Sequence, residues 1–415
     1  MAASSAPALP RAEGGSGRAG GRAAGARAGR SGSDRGNDSR RRLVTGRGRG
    51  RLPVDGDSPC GGGEVQDGWR GTRRARRTPP HTAGSSGSSG SAGPAGAVGG
   101  VTRATAPFAD ALAARALVLD GGLSNQLADQ GCELSGGLWT GRVLAERPDQ
   151  VQAAHTAYAQ AGAEVLITAS YQVGYEAFAA RGRGRAETTG LLHRSVRLAA
   201  RAADAAGHDV WVAASVGPYG AVLADGSEYR GRYGLSRRQL AAFHRPRIEA
   251  LLSAGPDVLA VETVPDADEA EAVLGVLAET GARAWLSYTV ADGRTRAGGP
   301  LAEAFALAGE SPQVVAVGVN CCDPRDVLPA LEEAASATGK PLLAYPNDGS
   351  AWDAAAAIWE HPAAPAPWPV RAWQRTGARL LGGCCRIGPR RIAALAAAVH
   401  GTPPDRPRGT AAPGK

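Results

Sequence analysis

Eight short apolar runs alternate with stretches whose apolar residues recur every three or four positions. They fill about 290 residues of this 415-residue chain and predict a (β/α)8, or TIM, barrel. A doubly wound open sheet is the alternative. Against it, the number of runs is eight, and no Gly-x-Gly-x-x-Gly loop follows the first of them.

The runs, in order, are ALVLDGG (116–122), EVLITAS (164–170), DVWVAASVGP (209–218) and DVLAVETVP (257–265), followed by RAWLSYTV (283–290), VVAVGVNCC (314–322), PLLAYPN (341–347) and ARLLGGCC (378–385). Each is short and rich in Val, Leu or Ala, as expected of strands buried on both faces of a parallel sheet. Residues 147–162, 188–207 and 325–340 between them read as amphipathic helices, several closing on Gly. Residues 388–401 form the last such stretch. The barrel is thus expected over residues 108–402, with a short flexible tail over 403–415.

Residues 1–107 differ in character. The first hundred carry 17 arginines, no lysine and 7 acidic residues, a net +10, whereas the remaining 315 carry 30 basic and 32 acidic residues, a net −2. The basicity of the chain therefore belongs to its Gly/Ser/Arg-rich start and not to the expected barrel. With few large apolar groups, that start cannot offset its chain entropy and is expected to be disordered. Arginine-rich segments can serve nucleic-acid binding or organelle targeting, but no interleaved aromatics or amphipathic period support either use here. No run of about 18 apolar residues marks a membrane span, and no compact apolar core marks a secretory signal. A cytoplasmic, reducing location is expected.

Barrel chemistry sits where strands end and the following loops begin. Polar residues at those ends are Asp120, Ser170 and Gln172, Glu262, Asn320 and Cys321, Asn347, and Cys384 and Cys385. Four of the six cysteines form two adjacent pairs, a poor layout for disulfides and a plausible one for a metal. A thiolate from the sixth strand and two from the eighth can converge at the barrel mouth. Gly382 and Gly383 are expected to let the backbone leave strand geometry, so that both Cys384 and Cys385 turn inward. Three thiolates suit zinc and leave one position open, the mark of a catalytic site. The competing readings are buried thiols acting as small hydrophobes, to which Cys132 and Cys322 are well suited, and a redox barrel whose cysteine pairs cycle to disulfides. Asp120 could cap a turn or hold a cation. Glu262, after an apolar run, needs a cationic partner, from substrate or from a protein arginine.

The motifs LDGGLSNQLADQG (119–131), ETVPD (262–266), GVNCCDP (318–324), YPNDG (345–349) and GGCCRIGP (382–389), with the long stretch 138–172, resemble the homocysteine S-methyltransferase family. The resemblance is closest to members using S-methylmethionine or S-adenosylmethionine, and runs from about residue 113 to 400. It implies one zinc ion on Cys321, Cys384 and Cys385. It also implies homocysteine as methyl acceptor, with Asp120 and Glu262 holding its ammonium group. Ser170, Gln172 and Asn320 are candidates to bind its carboxylate, or to serve loop turns. Betaine as donor is the alternative within the same chemistry. At Val173, Cys322, Ile387 and Arg391 the sequence departs from the usual family residues, without loss of an expected ligand.

Overall fold

The structure, a computed structural model, describes residue 104 and residues 106–134, 138–353, 358–360 and 367–401. The disordered segment expected over 1–107 and the tail over 403–415 fall almost wholly outside the described residues.

Eight parallel strands form the sheet: β1 (Leu117–Val118), β2 (Val165–Ile167), β3 (Trp211–Val216), β4 (Val258–Val264), β5 (Ala284–Tyr288), β6 (Val314–Asn320), β7 (Leu342–Tyr345) and β8 (Ala378–Leu381). Neighbours run β1-β8-β7-β6-β5-β4-β3-β2, and a parallel bridge between Leu119 and Val165 joins the two ends into a closed barrel. Every strand lies inside its expected run. Continuous apolar sequence is what a strand needs when one face fills the barrel and the other meets helices.

The two faces form two separate cores. Leu117, Trp211, Val258, Ala260, Trp285, Leu343 and Leu380 pack inside the barrel. The outer faces of the strands pack with the helices in a larger cluster that includes Leu166, Val261, Leu286, Val317 and Trp373. A helix over Phe108–Ala114, not foreseen in the sequence, closes the bottom of the barrel. Its Phe108 ring lies 6.4 Å from that of Trp211 and 6.2 Å from that of Trp285. The indole N–H of Trp211 donates to the carbonyl of Ala106 at 2.9 Å, so the chain is already tied down ahead of residue 108.

Because side chains alternate along β4, Val258, Ala260 and Glu262 share the interior face, with Glu262 at the open end. That alternation is how a carboxylate comes to stand inside the barrel mouth. Two antiparallel ribbons, Val290–Ala291 with Arg294–Thr295 and Ala351–Asp353 with Ile358–Glu360, decorate the loops after β5 and β7.

Candidate active site

The three expected ligands meet. The sulfurs of Cys321, Cys384 and Cys385 all lie within 4.8 Å of one another, and Cys321 Sγ is 3.6 Å from Cys385 Sγ. A tetrahedral ion bound through Zn–S bonds of about 2.3 Å has sulfurs about 3.8 Å apart, so this set can close on a soft metal ion with shifts of at most about 1 Å. Cys322 is buried but points elsewhere and is not part of the cluster.

The local backbone explains the convergence. Strand β8 ends at Leu381, so Cys384 and Cys385 are free of strand alternation. Gly382 and Gly383 serve this differently from the expectation, since neither adopts a positive φ. A Cβ on Gly382 would lie 2.5 Å from Leu119 Cβ, and one on Gly383 would lie 2.2 Å from Ile387 Cγ2. They are required for close packing, and the left-handed turn falls at Arg386 instead, with φ 68°. Cys321 itself has φ 50° and Thr263 φ 61°. Such conformations cost about 1–3 kcal/mol each and survive only where neighbours enforce them.

Hydrogen bonds from Cys384, Cys385 and Tyr229 push the Cys321 thiol well below its ordinary range, and the same contacts with Cys321 push Cys384 and Cys385 upward. The Tyr229 hydroxyl lies 3.1 Å from Cys321 Sγ.

A cavity of about 150 Å³ joins this cluster to Asp120 and Glu262. Asp120 is 1% exposed; its Oδ2 accepts from the Ile167 N–H at 2.9 Å, and its Oδ1 has no partner among the described residues. Glu262 accepts from the hydroxyls of Ser215 and, at 3.2 Å, Tyr345. Burial raises the Asp120 carboxyl well above its usual range, with further upward pressure from Glu262. Burial likewise pushes Glu262 up to about 7. Among the described residues, neither carboxylate is paired with a cationic side chain. Two buried acids side by side without a cation call for one.

Ser170, Gln172 and Asn320 do not line this cavity. Ser170 Oγ donates to the Ser215 carbonyl at 2.8 Å and pairs with Thr168 Oγ1 at 2.7 Å. Gln172 accepts from Thr140 Oγ1 at 3.2 Å and donates to the Ala221 carbonyl at 3.4 Å. Asn320 accepts from the Thr263 N–H and donates to its hydroxyl, both at 2.8 Å. The polar capacity of all three is largely spent on holding the strand ends.

Sequence reasoning missed Glu228 and Tyr229, which the loop after β3 folds over the mouth, and the Tyr345 hydroxyl behind Glu262. Burial pushes Glu228 up to about 7, and its Oε2 has no partner among the described residues. The available signal was length: some twenty residues of small and polar character separate β3 from the next long helix, Arg237–Ser253. Long loops at this face of a barrel commonly carry function.

The homocysteine S-methyltransferase family model matches residues 117–399. The chain is 46% identical over 294 residues to the homocysteine S-methyltransferase of Escherichia coli K12, covering 68% of this chain and 94% of the relative. It is 41% identical over 298 residues to homocysteine S-methyltransferase YbgG of Bacillus subtilis, covering 68% and 93%. Among solved structures, the homocysteine methyltransferase MmuM of Escherichia coli in its metallated form superimposes with a TM-score of 0.62 at 43% identity, covering 68% of this chain and 96% of that one. The match spans every strand and every residue of the cavity, and the chain therefore belongs to the homocysteine S-methyltransferase family of methyltransferases.

Proposed function

We propose that the protein transfers a methyl group from a sulfonium donor, S-methylmethionine or S-adenosylmethionine, to the thiol of L-homocysteine, giving methionine. One zinc ion, held by Cys321, Cys384 and Cys385, is its cofactor. The observation that carries this reading is a juxtaposition: two buried, cation-free carboxylates share a small cavity with three converging sulfurs. Homocysteine has an ammonium group at one end and a thiol at the other. The cavity offers a complementary partner for each.

Zinc at the three sulfurs supplies a site at which an added thiol loses its proton and is present as the nucleophilic thiolate. The protein does the rest by position and environment. Asp120 and Glu262 take up the ammonium group between them, and its single positive charge compensates one ionised carboxylate of the pair. Ser215 and Tyr345 keep Glu262 oriented through their hydroxyls. The thiolate sulfur attacks the donor methyl carbon as the bond from that carbon to the donor sulfur breaks. The electron pair of the breaking bond stays on the donor sulfur, which leaves as a neutral thioether. Opposite charges vanish together, so a buried, water-poor mouth favours the step. A neutral leaving group requires no general acid, which agrees with the absence of histidine from the cavity lining. Three free thiols suit a reducing, cytoplasmic setting. Among the described residues, no helix is long and apolar enough to cross a membrane.

A methyl-transfer assay tests the reading, with homocysteine as acceptor and S-methylmethionine, S-adenosylmethionine and betaine as separate donors, with and without chelator. Chelator-sensitive methionine formation from a sulfonium supports it. Turnover from betaine alone, or turnover untouched by complete zinc removal, would overturn it.

A further inference from the structure

The acceptor cavity, at about 150 Å³, is on the scale of one small amino acid. A second cavity of about 550 Å³ is also lined by Cys321 and Tyr229. Its chemistry differs. It carries three carboxylates, Asp292, Asp323 and Asp326, and two guanidinium groups, Arg296 and Arg325. Arg325 is committed to Asp323, which it grips at 2.8 and 3.0 Å. That leaves Asp292, Asp326 and Arg296, none of them in an ion pair among the described residues; Arg296 Cζ stands 5.5 Å from the centre of the Tyr229 ring.

Local structure accounts for part of this set. Asp326 lies in the first turn of the helix Pro324–Ala337, where negative charge is favoured. Asp292 opens an Asp-Gly hairpin turn, which explains its φ of 51°. Neither role explains a further atom in the same lining. Asn347 Oδ1 is buried without a hydrogen-bond partner among the described residues; Asn347 and Ser350, the latter beside the Asp348 carboxylate, are each only 7% exposed. A buried orphan of this kind costs stability unless a ligand satisfies it.

We infer that this second cavity binds the α-amino-acid end of the sulfonium donor, with Arg296 on its carboxylate, Asp292 and Asp326 on its ammonium, and Asn347 and Ser350 completing its polar contacts. The methyl group is then presented at the edge formed by Cys321 and Tyr229, where the two cavities meet. This rests on the reading that the donor is a sulfonium. The charges agree with it: the cavity sums to −1, and a sulfonium amino acid carries +1 at neutral pH. S-methylmethionine and S-adenosylmethionine share the end that is recognised here. Betaine lacks a primary ammonium group and offers Asp292 and Asp326 no hydrogen-bond donor.

The test is equilibrium binding, by calorimetric titration of the zinc-loaded full chain without homocysteine. S-methylmethionine and S-adenosylmethionine are the probes in separate arms, and betaine serves as competitor. The unaltered protein is expected to bind at least one sulfonium, with betaine failing to compete. The double substitution Asp292→Asn and Asp326→Asn, and separately Arg296→Gln, should weaken binding about tenfold. Asn tolerates the left-handed conformation at 292, and Arg296 is exposed, so both proteins should fold with full zinc content. Glu262→Gln should leave sulfonium binding unchanged. Unaltered affinity in both cavity variants, or loss only in Glu262→Gln, overturns the inference and puts the donor elsewhere. If the unaltered protein then still methylates homocysteine, the proposed reaction stands while this assignment falls. If no sulfonium binds at all, the inference falls outright.

Discussion

The side-chain amide of Asn320 grips Thr263 twice, accepting from its N–H and donating to its hydroxyl, both at 2.8 Å. This one contact ties the end of β6 to the end of β4. It therefore holds Cys321 and Glu262, each the immediate neighbour of a gripped residue, in fixed relation. It also enforces the left-handed backbone of Thr263, which a β-branched residue otherwise avoids.

Asn320→Ala should accordingly lower stability by about 2–4 kcal/mol, from the orphaned Thr263 N–H and the unsupported backbone. Denaturant unfolding measures it. If Asn320 served only to bind the substrate carboxylate, stability would be unchanged and only the homocysteine KM would rise.

The strands were legible from the sequence because a strand buried on both faces leaves an uninterrupted apolar run, and eight such runs stand apart from amphipathic helices. Cys321, Cys384, Asp120 and Glu262 were legible for the same reason, as polar breaks at the ends of those runs. Ser170, Gln172 and Asn320 satisfy that rule equally well, yet lie behind the cavity wall. Alternation cannot be counted past the point where the backbone departs from strand geometry, as it does at Thr263 and Cys321. Tyr229 was not legible at all. Its approach to Cys321 depends on the path of a long loop, which no local periodicity encodes.

The proposed metal ligands can be separated from their neighbour. Cys321→Ser, Cys384→Ser and Cys385→Ser should each remove most bound zinc and nearly all activity, because a hydroxyl is a poor zinc ligand. Cys322→Ser should retain both, at some loss of stability, since it places a hydroxyl where a buried thiol packs in the apolar core. Zinc content after gel filtration, measured by atomic emission, decides the matter. Metal lost from Cys322→Ser but kept in Cys385→Ser would sink the assignment.

Phe108 tests the bottom of the barrel. Its ring fills the end of the interior against Trp211 and Trp285, so Phe108→Ala should cost about 3–5 kcal/mol. Zinc content at low temperature should be unchanged, because the cysteines sit at the opposite end. A stability change below about 1 kcal/mol would mean that the helix Phe108–Ala114 rests on the barrel without closing it.

Glu262 provides a test of acceptor recognition. Glu262→Gln preserves shape but removes the proposed charge-assisted contact with the ammonium of homocysteine, which would be worth about 1.5–3 kcal/mol, or about 10- to 150-fold in kcat/KM. A thiol without the amino group, such as 3-mercaptopropionate, should be a poor substrate and lose little further on substitution. Equal losses with both thiols would mean that Glu262 supports the barrel mouth only.

The same carboxyl gives stability a pH dependence of definite sign. Burial raises Glu262 from about 4.5 in the unfolded chain to about 7 in the fold. Between those values the folded state binds more protons than the unfolded state, so the Glu262 contribution to stability is intact below about 4.5 and is lost as pH rises through about 7. The full loss is roughly 3 kcal/mol. Glu262→Gln cannot ionise and lacks this term. Its stability relative to the unaltered protein should therefore climb between pH 5 and pH 8, whatever constant offset follows from disturbing the Ser215 and Tyr345 hydroxyls. Saturating homocysteine should abolish the climb, since its ammonium stabilises the ionised carboxylate. Homocysteine binding at pH 6 should release more protons from the unaltered protein than from Glu262→Gln, read from calorimetry in buffers of different ionisation enthalpy, because the thiol proton is lost in both; equal release would count against the pairing. A stability difference that stays flat across this range would show that Glu262 is already ionised and compensated in the empty cavity, and its pairing with substrate would lose its electrostatic basis.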